Sequence, residues 1–356
     1  MTQRIGYSVI GCFLASALVS FPAAAELTAK QALGKQIFFD TNLSEPAGQS
    51  CASCHSPSAG FADPNSQLPV SQGVIPGRFG TRNSPSAAYA AFFPTFSVKG
   101  NPSGGQFWDG RAADLVEQAK GPFLNPVEMN NPDRATVVEK LRAADYATLF
   151  RQVYGADALN EVDTAYDLMA DAIADFERSS EVNPFSSKYD HFLAGRVRLT
   201  AQEERGRKLF SGAGKCSNCH TVKSSKSAPA MFTDFRFHNI GLPKNREYPL
   251  DLQPEDVRDL GLGAVLNDPK QNGKFKNPHL RNVALTAPYM HNGVLKTLKD
   301  VVHFYNTRDI PGMWPAPEVP ETMDGNFMGN LGLSGADEDA LVAFMMTLTD
   351  GYDLAQ

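Results

Sequence analysis

The chain has 356 residues, of which 42% are apolar and 20% charged, with a formal net charge of −6. Once a leader is removed, that length suits about two domains of ~150 residues, with enough apolar side chain for sizeable cores. Lys and Arg number 33 against 39 Asp and Glu, so there is no cationic surplus to neutralise phosphates. This argues against nucleic acid as a partner.

Arg4 precedes an apolar run over 5–21, followed by Pro22 and the small residues Ala23, Ala24 and Ala25, suited to cleavage before Glu26. The segment 1–25 therefore reads as a secretory signal, and the chain as exported to a bacterial periplasm. The run is too short and wrongly flanked for a transmembrane span. Nothing later approaches 18 consecutive apolar residues, so no stable membrane anchor is expected. Cys12 sits too early in the run for a lipid-attachment site.

A helix is expected from Ala29, because Thr28 and Gln31 have capping-box spacing. It leads to Cys51-Ala52-Ser53-Cys54-His55. The same order recurs later: Thr200 and Glu203 start a helix that leads to Cys216-Ser217-Asn218-Cys219-His220. Leu27, Thr28, Ala29, Gly34 and Phe38 match Leu199, Thr200, Ala201, Gly206 and Phe210 at a constant offset of 172 residues. Each half closes with an amphipathic helix. The first covers 162–178 and has Ala165, Leu168, Met169, Ala172, Ile173 and Phe176 on one face; the second covers about 337–348. The boundary between the halves falls near 179–198, where Asn183-Pro184-Phe185 breaks the helical pattern.

Four cysteines remain in the mature chain, and two disulfides would be the ordinary reading in an exported protein. A zinc site would need ligands converging from strings 165 residues apart. A thioredoxin-like redox motif is the other rival reading. C-x-x-C-H is instead the attachment signature of c-type haem: two thiols bond the porphyrin and the adjacent histidine reaches the iron. The expected fold is mainly α. It comprises two cytochrome c-like domains, 26–190 and 191–356, each with one covalent c-type haem, packed across a shared interface.

Each half is larger than a plain cytochrome c domain, so function is expected in the inserts. Gly104-Gly105-Gln106-Phe107-Trp108-Asp109-Gly110-Arg111 leads into Gln118, Pro122 and Asn125-Pro126-Val127-Glu128-Met129. Further strings are Phe237-His238-Asn239-Ile240-Gly241, Leu280-Arg281-Asn282-Val283, Pro288-Tyr289-Met290-His291-Asn292-Gly293 and Phe304-Tyr305-Asn306. On these strings the chain resembles the bacterial di-haem cytochrome c peroxidases, and among them the MauG branch, over nearly the whole mature length.

The resemblance implies a periplasmic oxidoreductase that uses hydrogen peroxide. Cys51, Cys54 and His55 would hold the peroxide-site haem, and Cys216, Cys219 and His220 the electron-transfer haem. It implies Glu128 as the acid–base group for the peroxide and Gln118 as the amide that orients it. From the residues alone, a carboxylate at a helix start is the favoured reading of Glu128, and the resemblance is what turns it to catalysis. Trp108 matches the family's tryptophan between the haems, which implies an electron relay, with a packed core tryptophan as the alternative. Tyr305 is implied as second ligand of the second iron, with Met290 as the serious rival and His303 behind it. Asn83, Thr286 and Pro288 match the family's calcium site, and amide and backbone oxygens suit that ion. His238 and His291 read as ordinary buried histidines.

The branch carries a tryptophan two residues before the second haem string, where this chain has Gly214. Many peroxidases of the family also hold a histidine on a loop after the first string, but 68–80 contains none and the first haem is expected to be open. The favoured role is MauG-like: oxidation of residues, tryptophan above all, on a partner protein. The alternative is a cytochrome c peroxidase fed by a small cytochrome c or cupredoxin. A non-enzymatic electron carrier would leave Glu128 and Gln118 without work.

Overall fold

Two reciprocally capped helices begin the two halves. Thr28 accepts from the Gln31 amide and Gln31 returns a bond to the Thr28 amide, starting Ala29–Phe39. Thr200 and Glu203 do the same for Ala201–Ser211. The computed structural model describes residues 26–224, 229–325 and 327–355. The expected leader at 1–25, Cys12 included, therefore lies outside the described residues.

Each opening helix crosses its closing helix, Val162–Glu177 in the first half and Gly335–Met346 in the second. The crossings are the same device used twice. Gly34 lies directly on the carbonyl of Ala172, and Gly206 on that of Ala340, with no space for a Cβ at either. One turn on, Phe38 meets Phe176 edge to face with centroids 5.3 Å apart, and Phe210 meets Phe344 at 5.3 Å. Glycine is thus kept inside both helices despite its helix propensity, about 1 kcal/mol worse than alanine's. Gly206→Ala is expected to lower stability, because overpacking against backbone costs ~1–3 kcal/mol and outweighs that gain. Denaturant unfolding of the haem-loaded protein tests this, and an unchanged midpoint would show that the helices part freely.

Two large buried clusters result, beside a small third of Ala90, Leu115 and Ala174. One runs from Leu33 to Val182 and takes in Met231; the other runs from Tyr189 to Leu348. The short helix Lys188–Leu193 spans the 190/191 boundary, and its Tyr189 belongs to the second cluster. Among the described residues the only paired strands are Phe237–His238 and Phe275–Lys276, two residues each. Strand alternation is weak in the sequence, and the structure is mainly helices joined by long ordered loops.

The halves are tied by polar side chains. Arg82 forks onto both oxygens of Asp259, at 2.7 and 2.8 Å, and reaches Asp109 at 2.6 Å. Asp350 takes the Tyr89 hydroxyl at 2.7 Å and the Asn282 amide at 2.9 Å. Arg281, 1% exposed, makes a two-pronged bond to Asp190 at 2.9 Å for each prong. Pairs as enclosed as this one hold geometry rather than add much net stability. No helix among the described residues is long and apolar enough to cross a membrane.

Candidate haem and peroxide site

The two C-x-x-C-H strings fold alike. His55 N–H donates to the Cys51 carbonyl, and His220 N–H to the Cys216 carbonyl, each at 2.9 Å. His55 Nδ1 lies 3.2 Å from the Phe61 carbonyl and His220 Nδ1 lies 2.8 Å from the Phe232 carbonyl. A carbonyl only accepts, so Nδ1 carries the proton and Nε2 keeps its lone pair. This is the orientation an iron ligand needs. Burial lowers both imidazole pKa values and keeps the rings neutral. Each histidine lines one cavity with its two cysteines.

None of the four described cysteines is in a disulfide, and the two pairs open on different cavities. The arrangement therefore suits neither of the ordinary alternatives. It fits a haem in each half: two thiols, a neutral histidine with its outer nitrogen free, and a cavity beside them.

The first cavity, counted with the solvent at its mouth, spans about 1590 Å³. Glu128, Gln118 and Trp108 all line it together with Cys51, Cys54 and His55. Gln118 comes from the helix Leu115–Leu124, capped by Asp114. Glu128 sits in the turn just beyond, where its amide donates to the Asn125 carbonyl at 3.0 Å. Its carboxylate accepts from Asn125 Nδ2 at 2.8 Å. Burial raises the Glu128 pKa, against the opposing pull of Arg111 and the Asn125 bond. Trp108 Nε1 donates to the Asn83 carbonyl at 2.7 Å.

The loop 68–80 is pinned beside Glu128, since Val74 N–H donates to the Glu128 carbonyl at 2.9 Å. Among the described residues His55 is the only histidine lining this cavity. Met129 also lines it, but is 2% exposed and part of the first core cluster.

Sequence reasoning missed several residues of this cavity. Glu177 and Gln49 line it, each with one buried oxygen that has no hydrogen-bond partner among the described residues. Burial pushes the Glu177 carboxyl up to about 8. Its only trace in the sequence is an acid beside Phe176 on the apolar face of the closing helix. Arg111 lies 3.6 Å over the Phe107 ring, and Asn125 holds Glu128. Both stand in strings already singled out, and Asn125, three residues before Glu128, was the readable partner.

The second cavity, counted with the solvent at its mouth, spans about 760 Å³. Tyr305, on the helix Leu298–Thr307, lines it with Cys216, Cys219 and His220. Met328 and Met345 line it too, whereas Met290 does not. His303 turns to Glu338 at 2.9 Å and is likewise not among the lining residues. Burial raises the Tyr305 phenol pKa.

Gly214 also lines this cavity, and a Cβ there would stand 2.9 Å from the Leu209 carbonyl oxygen. A large side chain at 214 would therefore force the turn open. His238 is more than an ordinary buried histidine. Burial opposes its charge, but bonds to Asp234 at 2.9 Å and Asp324 at 3.1 Å outweigh that and push it up to about 11. His291 stacks on Phe275 at 3.5 Å with its Nε2 unpartnered among the described residues, and burial pushes it down to about 4.

Asn83 meets the segment that carries Thr286 and Pro288. Its amide donates to the His291 carbonyl at 2.7 Å, and its side chain donates to the Pro69 carbonyl at 3.1 Å. The Thr286 hydroxyl donates to the Val283 carbonyl at 3.3 Å.

The family model for the di-haem cytochrome c peroxidases matches residues 28–198. The methylamine utilization protein MauG of Paracoccus denitrificans is 40% identical, over 95% of this chain and 94% of its own. The cytochrome-c peroxidase IdrP1 of Denitromonas iodatirespirans is 33% identical, over 93% of this chain and 84% of its own. Among solved structures, the diheme peroxidase BthA from Burkholderia thailandensis superposes with a TM-score of 0.84 at 36% identity, covering 92% of this chain and 87% of that one.

Proposed function

The chain belongs to the di-haem cytochrome c peroxidase/MauG family, whose members are haem oxidoreductases, and from that premise we propose that it is a periplasmic enzyme using hydrogen peroxide to oxidise residues, tryptophan above all, on a partner protein. The domain 26–190 takes one haem on Cys51, Cys54 and His55, and 191–356 takes the other on Cys216, Cys219 and His220. When bound, the first haem supplies an iron that takes peroxide and the second supplies a store for one electron.

The chain's own residues do the rest. His55 and His220 present unprotonated Nε2 atoms. Glu128 takes the proton from the near oxygen of the peroxide and returns it to the far one, and Gln118 orients the molecule through its neutral amide. Trp108 carries electrons between the two cavities. The export signal at 1–25 supports the periplasmic placement.

The observation that carries this reading is the first cavity, where Glu128 and Gln118 share the lining with no histidine but His55. The ferric protein as isolated is expected to show a high-spin haem and to react with peroxide without prior reduction. A strict need for pre-reduction would overturn it. The cytochrome c peroxidase reading is kept because Met328 and Met345 line the second cavity beside Tyr305. Sustained turnover with peroxide and a reduced small cytochrome c or cupredoxin, with no oxidised partner residue found by mass spectrometry, would favour it.

Calcium completes the proposal, bound through Asn83, Thr286 and Pro288 by oxygens of the kind that ion prefers. The Asn83 carbonyl already holds the Trp108 indole, so an ion at this asparagine would also fix the tryptophan. Chelation is expected to slow the peroxide reaction severalfold and added calcium to restore it. A rate indifferent to chelator would remove the ion from the site.

A further inference from the structure

Lys276 ends the strand Phe275–Lys276, where the second half meets the loop 104–111 of the first. Its backbone N–H donates to the Trp108 carbonyl at 2.7 Å. Its Nζ donates to the Gly105 carbonyl at 2.7 Å and stands 4.3 Å from the centre of the Phe93 ring. No carboxylate among the described residues forms an ion pair with it. The acid acting on it is Asp109, whose oxygens are already held by Arg82 and Arg111. The other bases nearby do not compensate. His279 is buried and neutral, pushed down to about 3 by burial, and Arg281 is spent on Asp190.

The next residue, Asn277, lines the second cavity and donates to the Cys219 carbonyl at 2.8 Å. Trp108 on the first cavity and Asn277 on the second are therefore joined by one hydrogen bond to the Lys276 amide and by Lys276 itself. The lysine side chain places a charge at that junction.

We propose that Lys276 is a positioning residue for electron exchange: a buried basic side chain between the two cavities that sets how readily the haems, and Trp108 between them, give up electrons. This rests on the di-haem reading above. Burial works against the ammonium and pushes it down to about 7, with Asp109 opposing only in part. An ordinary lysine titrates near 10.4. Below about pH 7 the charge is present and disfavours further positive charge nearby; above it the amine is neutral and oxidation becomes easier.

The test is a redox titration of the haem-loaded protein between about pH 6 and pH 9, read from haem absorbance. Both potentials are expected to fall in a step through about pH 7 as Lys276 loses its proton. Lys276→Met should sit at the low-potential limit throughout, and Lys276→Arg at the high-potential limit, each without the step. A role confined to packing would leave the step in place in the variants. The proposal is overturned if Lys276→Met keeps the step, or if the wild-type protein shows none. The wild-type profile decides even where a variant fails to fold. Because the titration uses no peroxide, its outcome is separate from the reaction of the first haem, so either reading can fail alone.

Discussion

Glu128→Gln is expected to leave both haems attached and to slow the reaction with hydrogen peroxide by about 10²–10⁴-fold, the usual worth of a positioned acid–base group. The glutamine keeps the size of the side chain and a carbonyl oxygen for Asn125, so loss of proton transfer is separated from loss of shape. The pH dependence gives a second signature. The carboxylate form is the one that accepts the peroxide proton, and burial has raised its pKa. The wild-type rate should therefore begin to fall at a higher pH than an ordinary carboxylate would dictate. In Glu128→Gln that acidic limb should vanish. Stopped-flow mixing with peroxide measures both, and an unchanged rate would take Glu128 out of the mechanism.

The second large effect concerns Tyr305. A phenolate is a hard anionic donor that favours ferric iron, whereas a thioether favours ferrous iron. Tyr305→Met should raise the potential of the second haem by some tenths of a volt, within the ~0.8 V that axial ligands span. Met290→Leu should leave both potential and spectrum as they were, since Met290 is not among the residues lining the second cavity. Potentiometry with the low-spin haem spectrum distinguishes the two. If Met290→Leu alone opens the second haem, Tyr305 is only a packed tyrosine and the preference for a MauG-like role loses its support.

What the sequence made legible was local. The capping boxes at Thr28 and Thr200 need residues three apart, and both formed. The closing helices, expected over 162–178 and about 337–348, stand at Val162–Glu177 and Gly335–Met346, because their apolar faces set the period. The C-x-x-C-H strings announce their chemistry within five residues.

What stayed hidden depends on contacts that chain order does not reveal. Lys276 looks like any strand-end lysine until Gly105, 171 residues earlier, is found against its Nζ. Arg82 gives no hint of Asp259, 177 residues away. Glu177 looks like a helix-end acid, and only the cavity beside it shows that the oxygen is stranded. The repeat exposed Gly34 and Gly206, but their reason, the carbonyls of Ala172 and Ala340, needed the folded crossing.

That doubled crossing bears on ancestry. Two tandem copies that keep a glycine against an alanine carbonyl, and the same phenylalanine pair one turn on, point to duplication of a single-haem module. After such an event one copy can lose a ligand to its iron while the other keeps the redox duty, so neither step abolishes electron transfer. Selection would then act on the segments between the crossing helices, where Glu128, Gln118 and Trp108 all stand in one copy and Tyr305 in the other. A tolerance map of the two copies should accordingly be alike at the crossings and the C-x-x-C-H strings, and unlike at Glu128, Gln118, Trp108 and Tyr305.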